Sequence, residues 1–274
     1  SMLSALSQSE ARLNRPFLSK LWLLVRLVRR YDMRFLRWGL KQPTYMAPSA
    51  MHALLGYSGL VYGLLMGYRV VIADRFHPAH VLELIEQERI TAVSMAPTMV
   101  AAVLNSPALE RRDLSSLLYL VMSAAPVPPD LVRRAREAFG CPVVIAFGAT
   151  EVGGATLMTD VIGDSEELQS TTVGRLFSGM EARVVDDERR VVPPGEVGEL
   201  ALRLPSAMLG YYQAPETTAQ ALDDAGWYYT GDLASLDAKG YVRIVGRKKN
   251  MIIRGGQNVY PAEIENHLMN HPKI

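Results

Sequence analysis

Cysteine is almost absent from this chain, and so is net charge. One cysteine, Cys141, stands among 274 residues. No internal disulfide can staple the fold, and a reducing, cytosolic compartment is the default. Cys141 precedes Pro142 and an apolar run, a setting that suits a packed thiol better than a nucleophile. The formal net charge is +1, which removes any whole-chain electrostatic case for nucleic acid as a partner. No stretch is apolar for long enough to span a bilayer. Ser1-Met2 has the look of a cloning remnant, and no signal peptide follows it. Acidic residues are missing altogether from Met33 to Ala73. A buried ammonium group on a ligand would find no counter-ion in that stretch.

What is present is ordinary globular material. Hydrophobic residues make up 49% and charged residues 21%, and the length allows one large core or two smaller ones. Charge is unevenly spread. Residues 11–41 hold nine Lys/Arg against one acid, Asp32, so this segment carries +8 and the remainder −7. From Leu18 to Leu40 the spacing predicts a helix. Leu21, Leu24, Val25 and Val28 form one stripe, and Arg26, Arg30, Arg34 and Arg37 form another. Core-facing helices are far commoner than membrane-surface ones, so packing is preferred for residues 18–40. Peripheral contact with an anionic membrane is the alternative.

From Tyr68 onward, short apolar runs alternate with helical ones. "YRVVIAD", "TAVSM", "LLYLVMS" and "PVVIAFG" read as strands. "HPAHVLELIEQER", "PTMVAAVLN" and "PPDLVRRAREAFG" read as helices. This alternation predicts an α/β fold, a parallel sheet flanked by helices, over about 68–150. After about Thr171 the pattern becomes strand–turn–strand. "MEARVVDDERRVVPPGEVGELALRL" and "WYYTGDLASLDAKGYVRIVG" predict a β-rich subdomain over 171–245, with a hairpin turning at Asp237–Gly240. The expected organisation is a basic helical segment over 1–44, an α/β part over 45–170, a β-rich subdomain over 171–248, and from 249 to 274 the start of a small C-terminal α+β domain.

Two short stretches carry chemistry. "AFGATEVGG" (146–154) follows a buried strand, where α/β folds hold ligands. Its small residues let backbone approach a phosphorylated or flat ligand. Thr150 offers a hydroxyl to a phosphate oxygen, and Glu151 offers a hard carboxylate for Mg²⁺. The plainer alternative makes Thr150 a helix N-cap and Glu151 a first-turn acid. "YYTGDL" puts Asp232 after a glycine, where it can accept two hydrogen bonds from a ribose diol. The plainer alternative is an Asp that serves its own turn.

The combination is more specific than either motif. "SAAP", "FGATE", "YTGDL", "GRKKNMI" and "GGQNVYPAEIE" occur in this order and at compatible spacing over roughly residues 45–274. The chain resembles the adenylate-forming superfamily of acyl- and aryl-CoA synthetases, amino-acid adenylation domains and luciferases. The stretch "GGQNVYPAEIENHLMNHPKI" looks most like medium-chain fatty-acyl or related acyl-CoA synthetases. The resemblance implies a reaction in two halves. ATP and a carboxylic acid give an acyl-adenylate with the help of Mg²⁺, and a thiol, of CoA or of a carrier protein, then displaces AMP.

The resemblance also implies roles. Ser123, Ala124 and Ala125 match the strip beside the adenine. Ala146, Phe147 and Gly148 match the other adenine wall and border the acyl pocket. Thr150 matches the phosphate contact, Glu151 the Mg²⁺ ligand, Asp232 the ribose ligand and Arg247 a nucleotide contact. Lys249 falls at the pivot of the lid domain, which brings it into catalysis. Gly255 and Gly256 match the loop lining the path of the pantetheine arm. His52 resembles the histidine of the acid-binding segment, although the usual Pro-x-x-His is departed from: Ser49 stands three before it and Pro48 four before. Gly56, with Gly59, Gly63 and Gly67, either leaves room for substrate or allows close helix packing. Side chains from Met51 to Tyr62 and around Gly153 shape the pocket. The acid-free stretch favours an uncharged acyl or aryl tail over an amino acid.

Two parts of the family pattern are missing, the Ser/Thr/Gly-rich phosphate loop and the lysine near the end of the lid. The expectation is therefore a fragment from the middle of a longer enzyme, with little or no catalysis of its own. A nucleotide-binding or scaffold protein without catalysis is the competing expectation.

Overall fold

The computed structural model describes residues 42–161, 163–254 and 257–268. The basic segment over 18–40 and the pair Gly255–Gly256 lie outside the described residues. No helix among the described residues is long and apolar enough to cross a membrane. Contacts divide the chain into two units. The first holds the described residues up to Val127, with Leu131–Ile145 and Asp160–Ser165. The second holds Pro128–Asp130, Ala146–Thr159 and the described residues from Glu166 onward.

The first unit is a parallel sheet with helical crossovers. Its strands are β1 (Thr44–Met46), β2 (Arg69–Val71), β3 (Ala92–Met95), β4 (Tyr119–Met122) and the first half of β5 (Val143–Ala149). They lie in the order β2-β1-β3-β4-β5, every pair parallel. The connecting helices are α1 (Leu54–Leu65), α2 (Pro78–Gln87), α3 (Pro97–Leu104) and α4 (Pro129–Phe139). Each of α2, α3 and α4 opens on a proline, which fixes φ where no backbone N–H is needed. The inner strands are apolar on both faces: Val93, Met95, Leu120, Met122 and Val143 are fully buried. A strand covered on both sides has no polar alternation to show. Cys141 is buried beside them, as a packed thiol should be.

Strand β1 does not announce itself in the sequence. Only three residues pair, in a segment rich in proline and small residues. Its place between β2 and β3 makes the strand order reverse at β1/β3. That is the switch point at which such sheets open a crevice beyond the strands' carboxyl ends.

The second half of β5 changes partner. Ala146–Ala149 pair antiparallel with β6 (Gly154–Met158), which in turn pairs antiparallel with β7 (Arg175–Leu176). The approach at Gly148 requires glycine, because a Cβ there would sit 1.9 Å from the Gly154 carbonyl oxygen. The main sheet of the second unit is antiparallel, in the order β11-β10-β9-β8. It comprises β8 (Glu181–Val185), β9 (Val197–Arg203), β10 (Tyr228–Leu236) and β11 (Val242–Arg247). The turn at Asp237–Gly240 joins β10 to β11 as expected, closed by Gly240 N–H donating to the Asp237 carbonyl. A short hairpin, β12 (Ile252–Arg254) with β13 (Gln257–Val259), and a helix, Pro261–Leu268, follow.

The period-two rule sorts the second sheet's faces. Leu200, Leu202 and Tyr228 point to a core shared with Val152 and Leu157. Ala201, Trp227 and Tyr229 point the other way. That second face is roofed by guanidinium groups. Arg183 lies 4.0 Å from the Trp227 ring centre and Arg189 3.9 Å from that of Tyr229. Cation–π stacking lets charged residues shield aromatic surface without a covering helix.

Candidate functional site

The candidate residues fall into two groups. His52, Gly56, Ser123, Ala124 and Ala125 belong to the first unit. Ala146, Phe147, Gly148, Thr150, Glu151, Gly153, Asp232, Arg247 and Lys249 belong to the second.

In the first unit the candidates follow strand carboxyl ends. His52 is exposed in the turn between β1 and α1. Ser123 directly follows β4, and its N–H donates to the Met95 carbonyl at the end of β3. Ala124 is exposed and has φ +72°, in the left-handed region that a residue with a Cβ rarely adopts. The glycines of α1 are a packing device. A Cβ at Gly56 would lie 2.5 Å from the Ala50 carbonyl oxygen, and one at Gly63 would lie 2.5 Å from a Val70 methyl. Gly67 ends the helix at φ +69°. The choice left open by the sequence, room or close packing, goes to packing for Gly56, Gly59 and Gly63.

In the second unit Thr150, Glu151 and Val152 form a single 3-10 turn between β5 and β6. The N-cap position is Ala149, with no side-chain cap, and Gly153 closes the turn in the left-handed conformation at φ +76°. No α-helix begins there, so Thr150 is not the N-cap that the plainer reading requires. Its side chain is exposed. Phe147 and Ala149 pack against the second unit's core, while Ala146 is buried in the strand. Glu151 is half-buried. Its Oε1 accepts a hydrogen bond of 3.0 Å from the Tyr211 hydroxyl, and its carbonyl accepts one of 2.7 Å from Met208 N–H.

Asp232 lies on β10 at an irregularity. The register with β9 slips between Tyr229 and Leu233, and Gly231 has φ +70°. Bulges of this kind redirect side chains. The turn is served by other groups: Thr230 Oγ1 accepts from Asp232 N–H, and Glu199 Oε1 accepts from Gly231 N–H. The Asp232 carboxylate is thus not consumed by its own turn. It faces Arg247, its cross-strand partner on β11, whose Nε is 2.9 Å from Oδ1. Arg247 also donates to the Thr230 carbonyl.

Burial pushes the Asp232 carboxyl up to about 6, with Arg247 and Thr230 pulling it down and Glu199 and Glu151 adding repulsion. Burial wins because the Asp232 side chain is 9% exposed while that of Arg247 is 53% exposed and screened by water. Lys249 lies exposed in the 3-10 turn Lys248–Asn250. Its neighbour Lys248 is anchored to Glu199 and Asp187, each at 2.9 Å. Sequence reasoning passed over Tyr211, Tyr228, Glu199 and Lys248. A tyrosine that buries its hydroxyl needs a partner, but nothing in the sequence ties Tyr211 to a carboxylate 60 positions away.

The residues fit a divalent cation of one kind only. Among the described residues no group of three or more His, Cys, Asp or Glu converges as a metal cage. Mg²⁺ that arrives on nucleotide phosphates needs one or two carboxylates and keeps its waters. Glu151, with one oxygen held by Tyr211, suits that role.

A model of the AMP-binding enzyme family matches residues 22–212. The medium-chain fatty-acid–CoA ligase of Escherichia coli K12 is 37% identical over 234 residues, 85% of this chain and 41% of that protein. A feruloyl-CoA synthase of an Amycolatopsis species is 41% identical over 211 residues, 77% of this chain and 42% of that protein. Among solved structures, the amide bond synthetase McbA of Marinactinospora thermotolerans is 34% identical with a TM-score of 0.76, covering 90% of this chain and 49% of that one. The chain spans about two fifths of the length of the curated relatives it matches. The parallel sheet flanked by helices, joined to an antiparallel sheet, is the adenylate-forming fold, and this chain belongs to the AMP-binding enzyme family.

Proposed function

We propose that this chain is part of an AMP-forming acid–CoA ligase acting on an uncharged fatty or aryl acid. The observation that carries the reading is the pair of carboxylates in the second unit. Asp232 is re-aimed by a bulge and left free of its own turn, and Glu151 stands on a strand-to-strand turn beside an exposed Thr150. Asp232 would accept the ribose hydroxyls, Arg247 would hold Asp232 ionised and contact the nucleotide, and Thr150 would donate to a phosphate oxygen. Glu151 would be the cation's protein ligand. Mg²⁺, when bound, offsets the repulsion between phosphate oxygens and an incoming carboxylate. In the first unit Ser123, Ala124 and Ala125 are the proposed adenine contacts; in the second, Ala146, Phe147 and Gly148 are assigned to adenine, and Gly148 and Gly153 to the acyl group. His52 would face the acid.

Residues 249–274 would open a lid domain pivoting at Lys249, with Gly255 and Gly256 on the pantetheine path to CoA. A hinged second domain suits two half-reactions that need different groups at one carbonyl. The relatives named for fatty-acid and feruloyl substrates support an acid without an amine, as does the acid-free stretch Met33–Ala73.

The test is pyrophosphate exchange and thioester formation by the full-length protein against a panel of fatty, aryl and amino acids, with CoA or carrier protein as acceptor. Acid-dependent exchange with a fatty or aryl acid, followed by acyl-CoA, is expected. Preferential activation of a free amino acid would overturn the substrate class. Absence of exchange with every acid would favour the scaffold reading.

A further inference from the structure

Tyr211 lies outside every motif used so far, yet it makes the one side-chain hydrogen bond to the Glu151 carboxylate among the described residues. Its ring is half-buried and its hydroxyl donates to Oε1 at 3.0 Å. The tyrosine is itself fixed from behind. Its N–H donates to Thr218 Oγ1 at 2.9 Å, and that hydroxyl donates to the Ala214 carbonyl at 2.9 Å. The segment leading to it is laced to the same turn. Ser206 Oγ donates to the Val152 carbonyl at 2.9 Å, and Met208 N–H donates to the Glu151 carbonyl at 2.7 Å.

A tyrosine hydroxyl keeps its proton at neutral pH, so Tyr211 is the donor and Glu151 Oε1 the acceptor. A glutamate has three side-chain torsions, and a lone carboxylate on a surface turn samples several of them. Pinning Oε1 removes that freedom, and no hydrogen bond among the described residues engages Oε2.

We propose that Tyr211 is a positioning residue: its hydroxyl orients Glu151 so that Oε2 faces a divalent cation carried by nucleotide phosphates. This rests on the role given to Glu151 above. A tyrosine that only packed the 206–211 segment would do as well without its oxygen.

The test titrates Mn²⁺ into the full-length protein with ATP, reading the free-ion electron paramagnetic resonance signal, which needs no turnover. Y211F removes one oxygen and keeps the ring. It should raise the half-saturating Mn²⁺ about tenfold, the usual cost of losing a hydrogen bond to a metal ligand. Adenosine affinity without metal should not move. E151Q should raise half-saturation at least as far, and Y211F added to E151Q should add nothing. T218V, which removes the hydroxyl that holds the Tyr211 N–H, should give a smaller shift in the same direction, and it carries the test alone if Y211F folds poorly. If E151Q shifts the titration and neither Y211F nor T218V does, this inference falls while the Glu151 role stands. If E151Q itself has no effect, both fall. Equal loss of adenosine and Mn²⁺ affinity in Y211F would mark a merely structural tyrosine and also overturn the proposal.

Discussion

In the parallel unit His52 and Ser123–Ala125 sit on loops just past strand ends, and none of the candidates there is a carboxylate. In the antiparallel unit the two candidate carboxylates are each gripped by a neighbour, Glu151 by Tyr211 and Asp232 by Arg247. The difference follows from the physics of the two sheets. A doubly wound parallel sheet gathers its loops at the carboxyl edge by topology alone, so residues there need only be compact. An antiparallel sheet offers no such edge. A side chain must be aimed by a bulge or a cross-strand pair, and a half-buried carboxylate must have partners.

The contrast can be broken most forcefully at Glu151. Glu151→Gln keeps the shape and the Tyr211 contact but removes the charge. Adenylation kcat in the full-length protein should fall about 100-fold or more, the scale seen when preorganised electrostatic stabilisation is lost. A fall below fivefold in pyrophosphate exchange would leave the turn with no catalytic charge. Next in size is Asp232→Ala. Loss of charge-assisted hydrogen bonds to the ribose should weaken ATP and AMP binding by about 1.5–3 kcal/mol. Unchanged AMP affinity by calorimetry removes the role.

Lys249→Pro probes the end of the second unit. Lys248 is tied to Glu199 and Asp187 while Lys249 is exposed, so the turn is anchored on one side of the proposed pivot. Proline fixes φ. Thioester formation should fall about tenfold more than pyrophosphate exchange, the order of effect expected when a hinge stops rotating. Equal losses in both half-reactions would dissolve the hinge assignment. Gly56→Ala tests the parallel unit. Its new Cβ meets the Ala50 carbonyl oxygen, so thermal unfolding should report a loss of about 1–3 kcal/mol with adenosine affinity intact. Unchanged stability with altered acid preference would return Gly56 to the substrate pocket.

How much of this was readable in advance differs between the units in the same way. The inner strands β3, β4 and β5 are continuous apolar runs beside helices that start on proline, and they were located from those signals; the edge strand β2 was located from its β-branched run. β1 was not, because three paired residues between Pro43 and Pro48 leave no pattern to detect. β6 was hidden for another reason. "GATLM" starts on the second residue of a double glycine and resembles a loop until β5 is known to change partner at Ala146. The two carboxylates proposed to carry chemistry were singled out through linked motifs. Their supports were not, since Tyr211, Glu199 and Lys248 reach their partners across 60, 32 and 49 positions respectively. Long-range side-chain pairing leaves no local trace.

The finest test concerns protons on Asp232. Burial raises this carboxyl to about 6 against the opposing pull of Arg247 and Thr230. Glu199, Glu151 and Tyr228 are the other titratable groups that interact with it. In the unfolded chain an aspartate titrates near ~3.9. The native state therefore holds the proton more tightly. The group's contribution to stability is fully present below about pH 4 and is lost as pH rises through about 6. Ligand binding should run the opposite way. Ribose hydroxyls donate to the ionised form, so affinity should grow as pH rises through the same window. Adenosine is the appropriate probe, because the phosphate of AMP titrates there as well. With a carboxyl titrating at about 6, adenosine affinity should drop about tenfold between pH 7 and pH 5. Calorimetry at pH 5.5 should also detect proton release on binding. Asp232→Asn cannot titrate, so its adenosine affinity should be flat across the window and lower than wild type at pH 7. If wild-type and Asp232→Asn affinities change in parallel with pH, the titrating group is elsewhere, and the charge that distinguishes the antiparallel unit is not what holds the nucleoside.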